Sequence, residues 1–296
     1  MHWLIGALCL VAVNIGGTVL AATKIRLPDG RSYSIIVPDD EPNPPLILAL
    51  HGGGGNGAWM EKVSGLTPKA LAAGFAIAYP DGSGRRDLLT WNAGYCCAYA
   101  ANNRIDDIGF LSRVIEDAVS RYGIDRRNIF VTGMSNGGMM AELFAASQPG
   151  KARAVASVAG PFDVRHTPIR RSVPLMHIHG TKDDMVPYQG GRGKFQVTGA
   201  AYAPVEELIS TWVASFGRGL TTTTETIDPV RDRTKVIKTS YWDGSKPVVL
   251  FYKVEGGIHS WPGSARAGRR GITKDIDASD EIIRFFDIHR RGSPLR

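Results

Sequence analysis

Gly133-Met134-Ser135-Asn136-Gly137 fits the pattern G-x-S-x-G, and the residues around it decide what that pattern means. An apolar run, Ile129-Phe130-Val131, leads straight into it, and a helix-forming run, Met139-Met140-Ala141-Glu142-Leu143, follows. A tight strand-to-helix turn needs small residues on both sides of the serine. It also sets the hydroxyl at a helix N-terminus, where free N–H groups and the dipole favour developing negative charge. A serine hydroxyl attacks a carbonyl only when a base removes its proton, so a histidine oriented by a carboxylate must be within reach.

In this arrangement the acid and then the histidine follow the serine along the chain. Asp183 and Asp184 lie just beyond the apolar run ending at His179-Gly180, where an orienting carboxylate belongs. His259 stands in Gly256-Gly257-Ile258-His259-Ser260-Trp261-Pro262, directly after the last apolar run. The residues themselves leave Asp183 and Asp184 both open. His51, His177 and His179 at strand ends, His166 in a loop and His289 in the last helix read as structural. A tetrahedral intermediate also needs two backbone donors. They are assigned to the N–H of Asn136 and to Gly53 in His51-Gly52-Gly53-Gly54-Gly55, where glycine lets the backbone approach a substrate.

The elements that must hold these groups are legible in the hydropathy pattern. Lys24–Leu27 and Arg31–Val37 flank a Pro28-Asp29-Gly30 turn. The apolar runs Leu46–Leu50, Phe75–Tyr79, Asn128–Thr132, Ala154–Ala159, Pro174–Ile178 and Val248–Val254 suit strands buried on both faces. Helical spacing marks Asp107–Tyr122, Gly137–Ala146, Val205–Phe216 and Ser279–His289. Buried strands alternating with amphipathic helices predict an α/β fold, a mostly parallel sheet with helices on both faces in a three-layer sandwich.

Composition agrees with that class. In 296 residues, 43% are hydrophobic, enough for a large core, and 35 Gly and 17 Pro serve many short loops. Met1 to Ala22 lack Lys, Arg, Asp and Glu and end in small residues before Lys24, which reads as a signal peptide cleaved near Ala21 or Ala22. A membrane anchor is the other reading, because the run approaches the ~20 residues that span a bilayer. Both readings export residues 23–296, expected as a single catalytic domain that is secreted or periplasmic and, once the leader is cleaved, not stably membrane-bound. The formal charge of +7 comes with no aromatic-interleaved basic motif, so a solvated basic surface is expected and nucleic acid is not. Of three cysteines, Cys9 lies in the leader. Cys96 and Cys97, adjacent, fit either a vicinal disulfide or two buried thiols.

Taken in order, these segments resemble secreted polyhydroxybutyrate-depolymerase-like and feruloyl-esterase-like proteins of the α/β-hydrolase fold, from about Lys24 to the C-terminus. The likeness is carried by Leu50-His51-Gly52-Gly53-Gly54, Tyr79-Pro80-Asp81-Gly82, Trp91-Asn92-Ala93-Gly94, Cys96-Cys97 and Ile105-Asp106-Asp107-Ile108-Gly109-Phe110. It continues through Gly133–Gly138, His179-Gly180-Thr181 with Asp183, Val186-Pro187-Tyr188, and Gly257 with His259, Trp261 and Pro262. The resemblance implies a serine esterase without metal or cofactor, with Ser135, Asp183 and His259 as its triad. It favours Asp183 because that carboxylate is the fifth residue of the segment starting His-Gly-Thr. It further implies a substrate pocket near Trp91, Cys96, Cys97 and Trp261, and an ester substrate that is a feruloylated polysaccharide or, as runner-up, a polyester oligomer; acetylxylan is a third candidate.

Three other classes compete. Gly52–Gly57 formally fits the dinucleotide fingerprint G-x-G-x-x-G, with Asp81 as a ribose-binding acid, but Ala58–Lys62 do not read as a clean helix opening. His177, His179 and Asp183 suggest a metal site, yet no further ligand completes it. A non-catalytic module that kept the fold would leave all three triad residue types unexplained.

Overall fold

The computed structural model describes residues 22–86, 88–194, 201–264 and 269–292. The leader assigned to Met1–Ala22 lies, apart from Ala22, outside the described residues. None of the helices among the described residues is long and apolar enough to cross a membrane.

The chain opens with an antiparallel pair, β1 (Thr23–Arg26) and β2 (Ser32–Ile36). Next come β3 (Leu46–Leu50), α1 (Gly57–Ser64), α2 (Leu66–Ala72) and β4 (Ala76–Pro80). A small hairpin, β5 (Ser83–Arg85) and β6 (Leu88–Thr90), precedes α3 (Ala98–Asn102) and α4 (Asp107–Tyr122). The centre follows as β7 (Ile129–Met134), α5 (Asn136–Ser147), β8 (Ala154–Val158) and β9 (Leu175–Gly180). The last part is α6 (Val205–Ala214), β10 (Thr221–Ile227), β11 (Lys235–Asp243), β12 (Lys246–Glu255) and α7 (Ala278–His289).

Ten strands form one sheet in the order β1-β2-β4-β3-β7-β8-β9-β12-β11-β10. From β4 to β12 neighbouring strands are parallel, and the antiparallel pairs lie at the two ends. Every residue of β3, β4, β7, β8 and β9 is buried, as their unbroken apolar runs require. One face packs on α4, α5 and α6 through residues such as Phe110, Phe144 and Trp212. The other packs on α1, α2 and α7 through Met60, Leu66 and Phe286. The three layers match the α/β-hydrolase expectation.

The sequence reading does not name α2, α3 or the β5–β6 hairpin, and it departs from the structure in two further places. β10 and β11 extend the sheet beyond the expected set, because β10 is a threonine-rich, mostly exposed edge strand with no apolar run. The expectation that Ala58–Lys62 fail to open a helix is incorrect: α1 begins at Gly57. Its N-cap Asn56 accepts a hydrogen bond from the Trp59 N–H, and the helix closes on Gly65 with φ 61°. The dinucleotide reading is not revived by this, because Asp81 is committed elsewhere. Its carboxylate accepts from the Gly57 N–H at 2.9 Å and the Ser32 hydroxyl at 2.8 Å, and it pairs with Lys24.

Candidate active site

Strand order alone draws the three candidate triad residues towards one edge. Ser135 follows β7, Asp183 lies three residues beyond β9 and His259 four beyond β12, and all three strands run parallel. Parallel strands deliver their C-terminal loops to a common rim, where ligands bind in open α/β sheets.

Ser135 sits between β7 and α5 with φ 55° and ψ −124°, a conformation that costs a non-glycine residue of order 1–3 kcal/mol. The surroundings enforce it. The Ser135 N–H donates to the Val158 carbonyl at 2.8 Å, and its own carbonyl accepts from the Met139 N–H at 3.0 Å. The glycines of the motif are there for space. A Cβ on Gly133 would stand 2.4 Å from the Gly137 carbonyl, and one on Gly137 would stand 2.3 Å from that of Leu50. The side chain of Asn136 does a different job from its backbone: Oδ1 accepts from the Trp91 N–H at 2.7 Å and Nδ2 donates to the Trp91 carbonyl at 3.0 Å.

The acid and base loops are fastened together. Thr181 N–H donates to the Val254 carbonyl, Lys182 N–H to that of Gly257, and Gly256 N–H to the Thr181 hydroxyl. Asp183 Oδ2 then meets His259 Nδ1 at 2.7 Å, while Oδ1 accepts the N–H groups of Met185 at 2.9 Å and Val186 at 2.8 Å. Burial opposes the charge on Asp183, yet hydrogen bonds from His179 and His259 hold its carboxyl well below the usual range. With an ionised partner at Nδ1, the His259 proton stays on that nitrogen and Nε2 is left as the base. Asp184 points elsewhere: its carboxylate is exposed, 3.9 Å from Lys194 Nζ.

The glycine loop after β3 packs against the nucleophile. A Cβ on Gly52 would touch Ser135 Cβ at 3.6 Å, and one on Gly53 would touch Asn136 Cβ at 3.7 Å. His51 anchors this loop as a neutral imidazole. Its Nδ1 donates to the Gly52 carbonyl at 2.8 Å and its Nε2 accepts the Gly82 N–H at 2.9 Å, and burial lowers its pKa to about 4.

A cavity of about 430 Å³ opens in front of Ser135 and Asn136, lined by Gly53, Gly54, Cys97, Tyr99, Val186 and Tyr202, with Leu88, Met185 and Arg85 at its walls. Of the four sequence-derived pocket residues, only Cys97 lines it. Cys96 is fully buried behind it, joined to Cys97 as a vicinal disulfide. Trp91 and Trp261 are corrected to core residues. Trp91 is fully buried between His51 and Phe110 with its indole N–H on the His51 carbonyl at 2.9 Å. Trp261 is 2% exposed and donates to the Ser279 hydroxyl at 3.0 Å. Both indole N–H groups found partners inside the protein, as a buried Trp requires. Tyr99 and Tyr202 take the aromatic positions instead, and nothing in their sequence setting beyond the nearness of Tyr99 to Cys97 marks them.

The suspected metal ligands are occupied by each other. His177 faces Glu142 at 2.8 Å and His179 at 3.3 Å, and His179 faces the Val186 carbonyl at 2.8 Å and Asp183 at 3.4 Å. No group of three or more His, Cys, Asp or Glu side chains arranged to hold a metal ion occurs among the described residues.

Comparison with known proteins matches residues 31–203 to the phospholipase/carboxylesterase family. The chain is 31% identical over 260 residues to a protein of Nocardia uniformis subsp. tsuyamanensis named as an esterase, NocK, covering 82% of this chain and 74% of that one. It is 29% identical over 206 residues to a protein of Aspergillus niger named as a feruloyl esterase C, covering 64% and 71% of the two chains. The solved acetyl xylan esterase from Aspergillus awamori superposes with a TM-score of 0.60 over 90% of this chain and 99% of its own, at 17% identity, a likeness of fold.

Proposed function

The chain belongs to the phospholipase/carboxylesterase family and is a serine carboxylester hydrolase, and from that premise we propose that it cleaves feruloyl and similar aryl esters of polysaccharide, with Ser135, His259 and Asp183 as its triad. His259 Nε2 takes the Ser135 proton as Oγ attacks the ester carbonyl, and Asp183 stabilises the imidazolium that forms. The backbone N–H groups of Asn136 and Gly53 receive the oxyanion. His259 returns the proton to the leaving alcohol, then activates the water that releases the acid and frees Ser135.

The observation that carries the triad is the 2.7 Å contact of His259 Nδ1 with a buried, ionised Asp183, both in loops at the same rim of the sheet as the strained Ser135 elbow. The aryl preference rests on the cavity. Its size is within the range of small-molecule sites, and Leu88, Tyr99, Met185, Val186 and Tyr202 give it mostly apolar walls. Its surroundings are apolar too. Of the five large hydrophobic side chains exposed among the described residues, Leu88 and Met185 line the cavity and Trp59 packs beside the Gly52–Gly55 loop. Relatives named as feruloyl esterases support the same reading. Export by a cleaved leader at Met1–Ala22 completes the proposal and suits a polymeric substrate outside the cell.

Side-by-side hydrolysis of methyl ferulate, p-nitrophenyl acetate and a soluble hydroxybutyrate oligomer, by wild type and Ser135→Ala, tests it. Preference for ferulate with an inactive variant supports both parts. Preference for the acetate or the oligomer moves the substrate to an acetyl ester or a polyester and keeps the chemistry. A Ser135→Ala variant with normal turnover overturns the triad.

A further inference from the structure

Behind the triad lies a buried chain of ionisable side chains of which acyl transfer itself requires only the last, Asp183. Glu142 on α5 and His177 on β9 are fully buried, His179 is 1% exposed and Asp183 5%. They run in line: Glu142 Oε1 to His177 Nδ1 at 2.8 Å, His177 Nε2 to His179 Nδ1 at 3.3 Å, His179 Nε2 to Asp183 Oδ2 at 3.4 Å, and Asp183 Oδ2 to His259 Nδ1 at 2.7 Å. The two inner imidazoles stack at 11°. The far end is tied down, since the Phe162 N–H donates to Glu142 Oε2 at 2.7 Å.

The protons in this chain can be placed by counting donors and acceptors. His179 Nε2 sees only acceptors, the Val186 carbonyl at 2.8 Å and Asp183, so it carries a proton. Burial with no anion beside its other nitrogen keeps His179 neutral, so its Nδ1 is a lone-pair acceptor and His177 Nε2 must donate to it. The His177–Glu142 contact needs one further proton between its two atoms. Wherever that proton rests, the Glu142–His177 pair is neutral as a whole, and the network holds one net negative charge, on Asp183. An unpartnered buried glutamate or histidine would be costly, and each is tolerated here only because the next member of the chain satisfies it.

We propose that Glu142 and His177 are positioning residues for catalysis: they hold the His179 ring with its Nε2–H on the Val186 carbonyl and facing Asp183, and thereby fix the carboxylate that orients His259. The inference rests on the triad reading given above. Without a polar partner from residue 142, His177 Nδ1 is buried unpaired and the ring is no longer held where its Nε2–H meets His179 Nδ1. The His179 ring, which points its Nε2–H at the Val186 carbonyl and Asp183, then loses its second anchor, and Asp183 its fixed surroundings. No proton passes along Glu142, His177, His179 and Asp183 during turnover; these residues serve to hold geometry and charge.

The test measures kcat and KM for Glu142→Leu, His177→Phe, Glu142→Gln and Asp183→Asn beside wild type, with thermal melts to show folding. The expected result is a drop in kcat of about 10- to 100-fold for Glu142→Leu and His177→Phe, with KM within about twofold, and rescue to within a few-fold of wild type by Glu142→Gln, whose amide oxygen accepts the Phe162 N–H while its NH2 donates to His177 Nδ1. Wild-type kcat in Glu142→Leu and His177→Phe, alongside an inactive Asp183→Asn, overturns the positioning role and leaves the triad standing. Normal turnover by Asp183→Asn overturns the triad reading itself. Imidazole ¹⁵N spectra of the wild type decide the matter even where a variant fails to fold. Protonated His179 Nε2, bare His179 Nδ1 and protonated His177 Nε2 are required, and a bare nitrogen at either of the protonated positions overturns the proposal.

Discussion

Asn136 and Trp91 are joined in both directions, the amide oxygen accepting the Trp91 N–H at 2.7 Å and the amide nitrogen donating to the Trp91 carbonyl at 3.0 Å. The residue whose backbone N–H is assigned to the oxyanion thus also clamps the loop that leads to Cys97. Asn136→Ala keeps the N–H but leaves the buried Trp91 N–H without its acceptor, while the Trp91 carbonyl keeps only the Cys97 N–H as donor. The expected outcome is about 1–3 kcal/mol lower stability, read by urea denaturation, and about tenfold lower kcat. Unchanged stability would remove the clamp from the account.

The two neighbouring aspartates should separate cleanly. Asp183→Asn disturbs the His259 tautomer and is expected to lower kcat by about 10⁴-fold. Asp184→Asn changes an exposed carboxylate near Lys194 and is expected to leave kcat/KM within about twofold. Steady-state kinetics on methyl ferulate distinguish them, and the reverse order would move the triad acid to Asp184.

Gly160 is a steric part of the nucleophile turn. A Cβ there would stand 2.0 Å from the Ser135 carbonyl oxygen and 3.0 Å from the Met139 nitrogen. Gly160→Ala is expected to cost about 1–3 kcal/mol or more and to lose activity as the elbow shifts. A Cβ on Gly53 meets Asn136 Cβ at an ordinary 3.7 Å, so Gly53→Ala should stay within about 0.5 kcal/mol of wild type in denaturation.

Acid should weaken the fold below neutrality. Burial lowers the pKa of both His51 and His289 to about 4, whereas an unfolded histidine titrates near 6.5. Between those values the unfolded chain binds more protons than the folded one. The stabilisation is therefore complete above pH 6.5 and lost as pH falls towards 4, up to about 3 kcal/mol for each residue. Urea midpoints from pH 8 to 4.5 check the slope. His289→Gln, which retains a donor for the Pro247 carbonyl, should flatten it, and a flat wild-type curve would contradict both assignments.

Leu88 and Met185 are 68% and 45% exposed where they line the cavity. Truncating either one shrinks the apolar surface that a bound aryl group can cover, at roughly 25 cal/mol per Å². Leu88→Ala and Met185→Ala should therefore raise KM for methyl ferulate several-fold with little change in kcat. An equal effect on methyl acetate, which carries no ring, would argue against an aryl-binding role.

What the sequence determined is what depends on local order. The apolar runs became the buried parallel strands because a strand covered on both faces has to be apolar throughout, as β3 and β4 are. The Gly133–Gly137 turn was legible because only small residues fit where backbones approach so closely, and chain order alone carried Asp183 and His259 to the rim. β10 escaped because an exposed edge strand needs no apolar pattern, and α1 because its start depends on a cap from Asn56. The direction and burial of single side chains were settled by tertiary packing. Trp91 and Trp261 look like pocket walls in sequence, yet partners at His51 and Ser279 draw them into the core. Glu142 is the lone charge in an apolar helix, and the sequence gives no sign of its role. Its meaning emerged only when α5 packed on the sheet and brought it to His177, because a buried charge is defined by the partner that satisfies it and that partner is 35 residues away.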